Sequence, residues 1–327
     1  MNDSILEIRD LFVHYADGSR RIKAVDGVSL SLRRGSVLAL VGESGCGKTT
    51  VALAVLGLLP DSAAVIGGRV RFAGHDLLLL GRDRLRRMRG REISMIFQDP
   101  VAGLNPVLSV GEQVEEIIAA HTTATKGETR RMVYDVLRRV GLTEPEQLAR
   151  QYPYQLSGGM CQRVLIAIAT VLNPKVIIAD EPTSALDVTV QAGILSELDR
   201  LRRERGTSIL LITHDLGVVA QMADEVAVMY AGRIAEEGRT RDVLRRPLHP
   251  YTWSLLATLP RLDRAKQPLE AIKGSPPDLA ELPDGCAFLP RCRKAVSACR
   301  ASPSPPLTEL TPGQLAACYN PVYHPEE

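Results

Sequence analysis

Short apolar, β-branched runs alternate with helix-type patterns over about the first 260 residues of the chain. The runs predict strands at residues 37–41, 93–97, 176–179, 209–213 and 226–230. Apolar residues at helical spacing predict helices at residues 48–59, 110–121, 130–140 and 159–171. Strands that alternate with helices in this way indicate an α/β core, with the two middle helices inserted between core strands.

The pattern changes after Pro260. Prolines recur between Pro268 and Pro312, which argues against long regular elements there. We therefore expect residues 261–327 to be either a disordered tail or a small irregular domain held by its cysteines. No internal repeat is apparent, which predicts one copy of the α/β core per chain.

Composition and charge exclude several classes of protein. The 327 residues are 45% hydrophobic and 24% charged, with a formal net charge of +2, so nothing indicates a polyanion-binding protein. The longest apolar runs, residues 51–59 and 164–172, are about half the roughly 20 residues that a membrane-spanning helix needs. The acidic N-terminal segment does not resemble a secretory signal. We expect any membrane role to come through a partner.

A glycine-rich loop follows the first predicted core strand. It matches the pattern Gly, four residues, Gly-Lys-Ser/Thr, and it opens a helix, which is the context that this motif requires. Its backbone N–H groups and the positive end of the helix favour phosphate. Lys48 is expected to bridge the β- and γ-phosphates of ATP, and Thr49 to ligate Mg²⁺. The predicted ATP-binding residues here are Gly42, Glu43, Ser44, Gly45, Cys46, Gly47, Lys48, Thr49 and Thr50.

Two carboxylates follow the predicted strand at residues 176–179. Asp180 is positioned to hold Mg²⁺, and Glu181 to polarise the water that attacks ATP. An acidic pair after a strand is a weak signal alone, but it becomes a strong one beside a phosphate-binding loop.

The segment Leu156-Ser157-Gly158-Gly159-Met160 then resembles the LSGG motif of the ATPase subunits of ABC transporters. The resemblance covers essentially the whole chain, with the motifs in the expected order. It implies that Tyr15 stacks on adenine, that Gln98 links the magnesium site to a membrane partner, and that His214 contacts the γ-phosphate. It also implies that residues 184–187 form the dimer-contacting D-loop, with Asp187 at its end.

The LSGG segment explains why this family works in pairs. Ser157 and the N–H groups of Gly158 and Gly159 cap a helix, which makes an anion site without catalytic groups. Each chain thus carries two half-sites, and the resemblance implies that two subunits sandwich ATP between the loop of one and the LSGG segment of the other.

Several segments resemble the ATPase subunits of oligopeptide/dipeptide importers. These segments are residues 97–100, 104–106, 249–252 and, most strongly, the tail from Gly285 to Cys292. The implied fold is α/β: an ABC-type nucleotide-binding domain over residues 1–260, with a RecA-like core, an antiparallel β subdomain and a helical subdomain at about 99–172. A C-terminal oligopeptide-transporter-type domain would follow at 261–327.

The resemblance also implies partners and a location. We expect a second ABC ATPase subunit, commonly a distinct paralogue, together with two membrane permease subunits and an extracytoplasmic solute-binding protein. The chain would lie peripherally on the cytoplasmic face of the cell membrane. Transporters of this family carry di- and oligopeptides, and some carry nickel, so the resemblance does not identify the transported solute. The competing hypothesis is a DNA-handling ABC ATPase, but the near-zero net charge and the lack of sustained heptads disfavour it.

Four cysteines are grouped in the tail: Cys286, Cys292, Cys299 and Cys318. Without an export signal, a metal or cluster site is favoured over a disulfide scaffold. In the resembled family these cysteines can carry a [4Fe–4S] cluster. Successive cysteines are separated by five, six and eighteen residues, whereas structural zinc usually uses pairs two to four residues apart. The sequence therefore favours a cluster, with zinc, free thiols or disulfides as alternatives.

Overall fold

The computed structural model describes residues 3–184, 186–258 and 272–324. Its strands are β1 Ser4–Asp17, β2 Arg20–Arg33, β3 Val37–Val41, β4 Ala63–Phe72, β5 His75–Asp76, β6 Ile93–Ile96, β7 Val176–Asp180, β8 Ser208–Thr213, β9 Glu225–Tyr230, β10 Arg233–Arg239, β11 Thr308–Thr311 and β12 Gln314–Ala316. Its α-helices are α1 Lys48–Leu56, α2 Arg82–Met88, α3 Val110–His121, α4 Lys126–Arg139, α5 Pro145–Leu148, α6 Gly158–Thr170, α7 Val188–Arg205, α8 Leu216–Met222, α9 Thr240–Arg245, α10 Pro250–Ala257 and α11 Ser297–Ala301.

The chain divides into two compact units, each assembled from separate segments. Unit 1 contains residues 1–6, 32–37 and 79–212, and unit 2 contains residues 7–31, 38–78 and 213–327. The predicted domain boundary near residue 260 falls among residues 259–271, which lie outside the described ranges. The assignment of 1–260 and 261–327 as separate domains therefore stays a prediction.

Unit 1 contains three parallel strands in the order β8-β7-β6. Ile177 of β7 is in register with Ser94 of β6 on one side and with Ile209 of β8 on the other. All of β7 and β8 is buried, as the continuous apolar sequence of parallel strands requires. The predicted strands of this region are confirmed to within a residue at most ends.

Helices α3 and α4 of unit 1 begin at capping boxes. The Ser109 hydroxyl accepts a hydrogen bond from the Glu112 N–H, and the Glu112 carboxylate accepts one from the Ser109 N–H. Thr125 and Glu128 repeat the arrangement at the start of α4. This second box starts α4 four residues before the position predicted from the apolar pattern alone, because capping rather than apolar spacing fixes a helix end.

Unit 2 contains a run of strands in the order β11-β12-β10-β9-β3. Strand β3 is parallel to β9, with Val41 in register with Val228, whereas β9, β10, β12 and β11 pair antiparallel. A second sheet of order β2-β1-β4-β5 is formed mainly by residues of this unit. The long strands β1, β2 and β4 are not predicted by the apolar pattern, because their exposed faces carry mixed polar residues rather than continuous apolar runs.

The C-terminal segment shares the apolar core of unit 2. Phe288 is 2% exposed and belongs to the same buried cluster as Val41 of β3, Val226 of β9 and Tyr251 of α10. In the described part of the tail, residues 272–324, the regular elements are short, as its prolines predict; α11, β11 and β12 are examples. Phe288 anchors this segment in a core built from other parts of the chain, and the organising role of its cysteines stays a prediction. Among the described residues, no helix has the length and apolarity needed to cross a membrane.

Candidate nucleotide site

The glycine-rich loop, residues 42–49, joins the buried strand β3 to helix α1, as predicted. Gly47 precedes the helix with φ of 108°, and a Cβ there would lie 2.1 Å from the Ala24 carbonyl oxygen. Gly42 is equally confined, since a Cβ on it would lie 2.2 Å from the Met229 oxygen. Glycine is therefore required at both positions by close approach of the backbone.

Lys48 folds back onto its own loop. Its side chain is buried, and Nζ donates to the carbonyl oxygens of Gly42 at 2.8 Å and Glu43 at 3.0 Å. Ser44, Gly45 and Thr49 are exposed at the rim of the same loop. A phosphate group that entered the loop would meet backbone N–H groups at the start of α1 and could draw the lysine away from the two carbonyls. Burial raises the pKa of the neighbouring Cys46 thiol, so that side chain stays neutral.

Tyr15 of β1 and Thr50 of α1 contact one another. The Tyr15 hydroxyl and the Thr50 Oγ1 are 3.2 Å apart, within hydrogen-bonding distance. Tyr15 is half-buried and lies in the same unit as the loop. The structure thus brings two of the sequence-predicted ATP-binding residues together at the start of α1.

The predicted acidic pair ends strand β7 in unit 1. Asp180 is 1% exposed, and Glu181 is 9% exposed. Glu181 has a φ of 49°, a conformation that is costly for a residue with a side chain, and its N–H donates to the Ile212 oxygen of β8 at 2.8 Å. Backbone strain of this kind is retained where a side chain must be aimed in one direction.

Gln98 and His214 each follow a core strand and are exposed. Gln98 comes two residues after β6 in unit 1, and His214 comes directly after β8, in unit 2. Asp187 is the N-cap of α7, where its carboxylate accepts the Val190 N–H at 2.9 Å. This cap gives Asp187 a local structural role besides the predicted dimer contact. Ala185, within the predicted D-loop, lies outside the described residues.

The LSGG segment caps helix α6 as predicted. The Ser157 hydroxyl accepts the Met160 N–H at 3.3 Å, and Ser157 and Gly158 are exposed. A Cβ on Gly158 would meet no atom within 4 Å, so the start of the helix is open to solvent. The arrangement is an anion-attracting surface without a lysine or carboxylate of its own among these residues.

Comparison with known proteins decides the family. A family model described as "ABC transporter" matches residues 25–184. The chain is 47% identical over 320 residues to the oligopeptide transport ATP-binding protein OppD of Escherichia coli K12, covering 98% of this chain and 94% of that protein. It is 47% identical to the dipeptide transport ATP-binding protein DppD of Bacillus subtilis 168, covering 91% of this chain and 89% of that protein. The chain belongs to the ABC transporter ATPase family.

The fold agrees with that of solved ABC ATPases. A dimeric post-hydrolysis state of the ATP-binding cassette MJ0796, bound to ADP and Pi, superposes with a TM-score of 0.66 at 29% identity. The match covers 72% of this chain and 99% of that chain. This ABC ATPase therefore has the mixed α/β architecture that the sequence predicts.

A second family model, described as "Oligopeptide/dipeptide transporter, C-terminal region", matches residues 235–299 of the ABC ATPase. The matched region begins in β10, before the predicted boundary at residue 260. Its second residue is Glu236, a fully buried carboxylate that accepts the N–H groups of Leu248 and His249 at 2.8 and 2.9 Å. Gln314 of β12 donates to the same carboxylate at 2.7 Å. Burial raises the pKa of Glu236, while these hydrogen bonds oppose the rise.

The four tail cysteines line one small cavity, together with His249, Phe288 and several other residues. All are free thiols. Burial raises the pKa of three of them, Cys286, Cys292 and Cys318, and that of Cys318 reaches about 11. Within the described ranges, no three His, Cys, Asp or Glu side chains converge with the geometry of a metal-binding group. The structure thus gathers the thiols without confirming the predicted cluster.

Two further residues have contacts with the loop that the sequence analysis did not foresee. The Tyr251 hydroxyl accepts the Glu43 N–H at 2.9 Å, and Arg291 forms an ion pair with the Glu43 carboxylate. Both lie in segments that the sequence analysis had matched to the importer family. Neither was given a role, since no local pattern shows that residues 208 and 248 positions away along the chain return to the loop.

Proposed function

We propose that this ABC ATPase powers the import of di- or oligopeptides, or of related small solutes, through a membrane transporter. The observation that carries the proposal is the near-full-length similarity to proteins named as oligopeptide and dipeptide transport ATP-binding proteins. The match of residues 235–299 to the C-terminal region of such transporters supports it independently.

The nucleotide chemistry is assigned to residues of this chain as follows. The loop at residues 42–49 binds the phosphates of ATP, with Lys48 moving from the Gly42 and Glu43 carbonyls to the β- and γ-phosphates. Thr49, Gln98 and Asp180 would hold Mg²⁺, which neutralises charge on the phosphates when it is bound. Tyr15 and Thr50 contact the nucleotide beside the loop.

Hydrolysis is assigned to Glu181, which orients the attacking water, and to His214, which contacts the γ-phosphate. The position of Glu181 directly after the buried strand β7, with its own side chain still partly accessible at 9% exposure, supports this role. The exposed LSGG cap at Ser157, Gly158 and Gly159 completes the ATP site of a facing ATPase subunit, and Asp187 lies in the surface between the two.

Partners follow from this assignment. The facing subunit is proposed to be a distinct paralogue, and two permease subunits dock near Gln98 and residues 99–155. An extracytoplasmic binding protein selects the solute. The ATPase would then lie peripherally on the cytoplasmic face of the membrane, where ATP is available. No nucleic acid takes part in this proposal, in agreement with the net charge of +2.

The tail cysteines are proposed to hold a [4Fe–4S] cluster, with zinc as the alternative. What supports this is the donor set: four thiols around one cavity, of the soft type that iron–sulfur clusters and zinc both accept. The residues that would hold it are Cys286, Cys292, Cys299 and Cys318. A structural role is proposed, in which the bound group would cross-link the irregular segment.

Hydrolysis is tested with Glu181→Gln. We expect ATP turnover to fall at least about 100-fold, because the attacking water loses its base, while ATP binding persists. Glu204→Gln, at an exposed position near the end of α7, is the matched control and should hydrolyse ATP normally. Unchanged turnover in Glu181→Gln would refute the assignment of this carboxylate.

The solute is tested by reconstituting the chain with its permease and binding-protein partners in vesicles. Addition of a dipeptide or a pentapeptide should stimulate ATP hydrolysis and lead to peptide uptake. Stimulation by nickel ions alone would replace the peptide proposal, and ATP-dependent binding to duplex DNA would favour the DNA-handling alternative.

The cluster is tested by purifying the protein without oxygen. Brown colour with visible absorption and about four irons per chain is expected, and Cys318→Ser should lose both. Stoichiometric zinc without colour would support the alternative metal. Protein with neither metal would refute both.

A further inference from the structure

Arg291 connects the cysteine-containing segment to the phosphate-binding loop. It ends the short 3₁₀ turn Leu289–Arg291, directly before Cys292. Its Nη1 and Nη2 donate to the two carboxylate oxygens of Glu43 at 2.7 and 2.9 Å. The Arg291 side chain is 5% exposed and that of Glu43 is 22% exposed, so this two-point ion pair is largely buried. Paired bonds of this kind fix geometry as well as contribute energy.

The guanidinium is held on its other sides as well. Nε donates to the Lys273 oxygen at 3.1 Å, and Nη1 donates to the Tyr230 hydroxyl at 3.2 Å. The group also lies 5.9 Å from the centre of the Tyr230 ring, in the range of a cation–π contact. The Glu43 carboxylate is the strongest cause of the raised pKa of Arg291. These contacts hold the guanidinium in the position where it binds Glu43, so it has little freedom to move.

Three contacts that hold the loop in place, here called tethers, all involve Glu43. Its carboxylate accepts Arg291, its N–H donates to Tyr251, and its carbonyl oxygen accepts Lys48 Nζ at 3.0 Å. These tethers behave differently when nucleotide arrives. Lys48 has to leave the carbonyls of Gly42 and Glu43 in order to reach phosphate oxygens, whereas the Arg291 and Tyr251 contacts do not involve the lysine.

We propose that Arg291 is a positioning residue for ATP binding, which holds Glu43 and thereby keeps the first turn of the loop in its binding shape after Lys48 has moved to the phosphates. The C-terminal segment is then part of the support of the nucleotide site, although it supplies no group that touches ATP. This inference rests on the proposed role of residues 42–49 as the phosphate-binding loop.

A purely structural role for the pair makes different predictions. If the pair only fastened the tail, its loss would lower stability and leave nucleotide affinity intact, because Phe288 anchors the same segment in the core. A positioning role predicts weaker binding of Mg-ATP, with the rate of hydrolysis at saturating ATP largely unchanged. Measurements of Mg-ATP affinity and of the hydrolysis rate therefore distinguish the positioning role from the purely structural role.

The experiment measures Mg-ATP affinity with a fluorescent ATP analogue for Arg291→Gln, Glu43→Gln and the double variant. Each single change should weaken binding about tenfold, because a buried charged hydrogen-bond pair is lost. The double variant should also be about tenfold weaker rather than a hundredfold, since both changes remove the same interaction. Arg291→Lys, which keeps the charge without the two-point geometry, should lie in between.

Arg300→Gln is the matched control, because Arg300 is an exposed arginine in the same segment. Equal affinities for Arg291→Gln and Arg300→Gln, or additive losses in the double variant, would overturn the proposal. If Arg291→Gln does not fold, Glu43→Gln and Arg291→Lys decide in its place. Lys48→Ala tests the underlying assignment separately: if it binds ATP normally, the loop assignment fails, whatever the Arg291 variants show.

Discussion

The phosphate-binding loop and the LSGG cap are both anion-attracting helix starts, yet they are built in opposite ways. The loop is confined by backbone at Gly42 and Gly47 and is tethered through Glu43 and Lys48. The cap at the start of α6 is open, and Ser157 makes one hydrogen bond of 3.3 Å to its own helix. One half-site is enclosed and charged, while the other presents mainly backbone N–H groups.

This difference indicates that the two half-sites have different roles in ATP binding. A loop with a buried lysine and several tethers can hold nucleotide by itself. An exposed helix start without a cation attracts phosphate only weakly and becomes useful when something delivers the phosphate to it. We therefore expect the loop to determine ATP affinity in the isolated chain, and the cap to act only in the assembled ATPase.

The largest effect is expected from a matched pair of glycine changes. Gly47→Ala places a Cβ 2.1 Å from the Ala24 oxygen at a φ of 108°, so the loop cannot keep its shape. We expect ATP binding by the isolated chain to fall by about 100-fold or more, as measured by ATP titration. Gly158→Ala meets no atom within 4 Å and should bind ATP like the wild type. Equal losses of ATP affinity in the two variants would show that the loop and the cap do not differ in their contribution to ATP binding by the isolated chain.

The glycine positions also show what sequence could and could not predict. The motifs located the loop, the acidic pair and the cap, because each needs particular residues at short spacing. The sequence did not predict that Arg291 and Tyr251 contact Glu43, since such contacts depend on how distant segments pack. It placed the end of α1 three residues late, because Gly57 turns the chain at φ of 61° after Leu56.

A second prediction concerns the support of the loop by the tail. Phe288→Ala removes a ring that is 2% exposed and packs against Tyr230 and Tyr251 at centroid distances of 5.2 and 5.4 Å. We expect the free energy of unfolding to fall by about 3–5 kcal/mol, as measured by urea denaturation. Val296→Ala, at a partly exposed site in the same segment, should cost less than about 1 kcal/mol. Similar losses for both would mean that the tail is not anchored in the core.

A third prediction concerns how the stability of the unit that carries the loop depends on pH. Burial, aided by the nearby Glu225 carboxylate, raises the pKa of Glu237 from its ordinary value of 4.5 to about 7. The folded state then binds more protons than the unfolded state between these values, so stability should fall as pH rises from about 4.5 to 7. Glu237→Gln should remove up to about 3 kcal/mol of that fall. Identical pH profiles of urea denaturation for variant and wild type would contradict the shift.

The smallest effect is expected at the cap itself. Ser157→Ala removes the hydrogen bond to the Met160 N–H and should cost about 1 kcal/mol of stability. ATP affinity of the isolated chain should not change, while turnover of the assembled transporter should decrease. Weaker ATP binding by the isolated Ser157→Ala chain would show that the cap already contributes without a partner.

The central claim is that residues 42–49 form half of an ATP site, which the cap of a facing ATPase subunit closes. The most direct measurement is analytical ultracentrifugation of the Glu181→Gln chain with the ATPase subunit that faces it, with and without Mg-ATP. We predict that Mg-ATP drives association of the two ATPase subunits, and that adding Gly158→Ala to the Glu181→Gln chain weakens it, because the cap of this chain closes the ATP site of the facing subunit. Equal association with and without Mg-ATP would contradict the account.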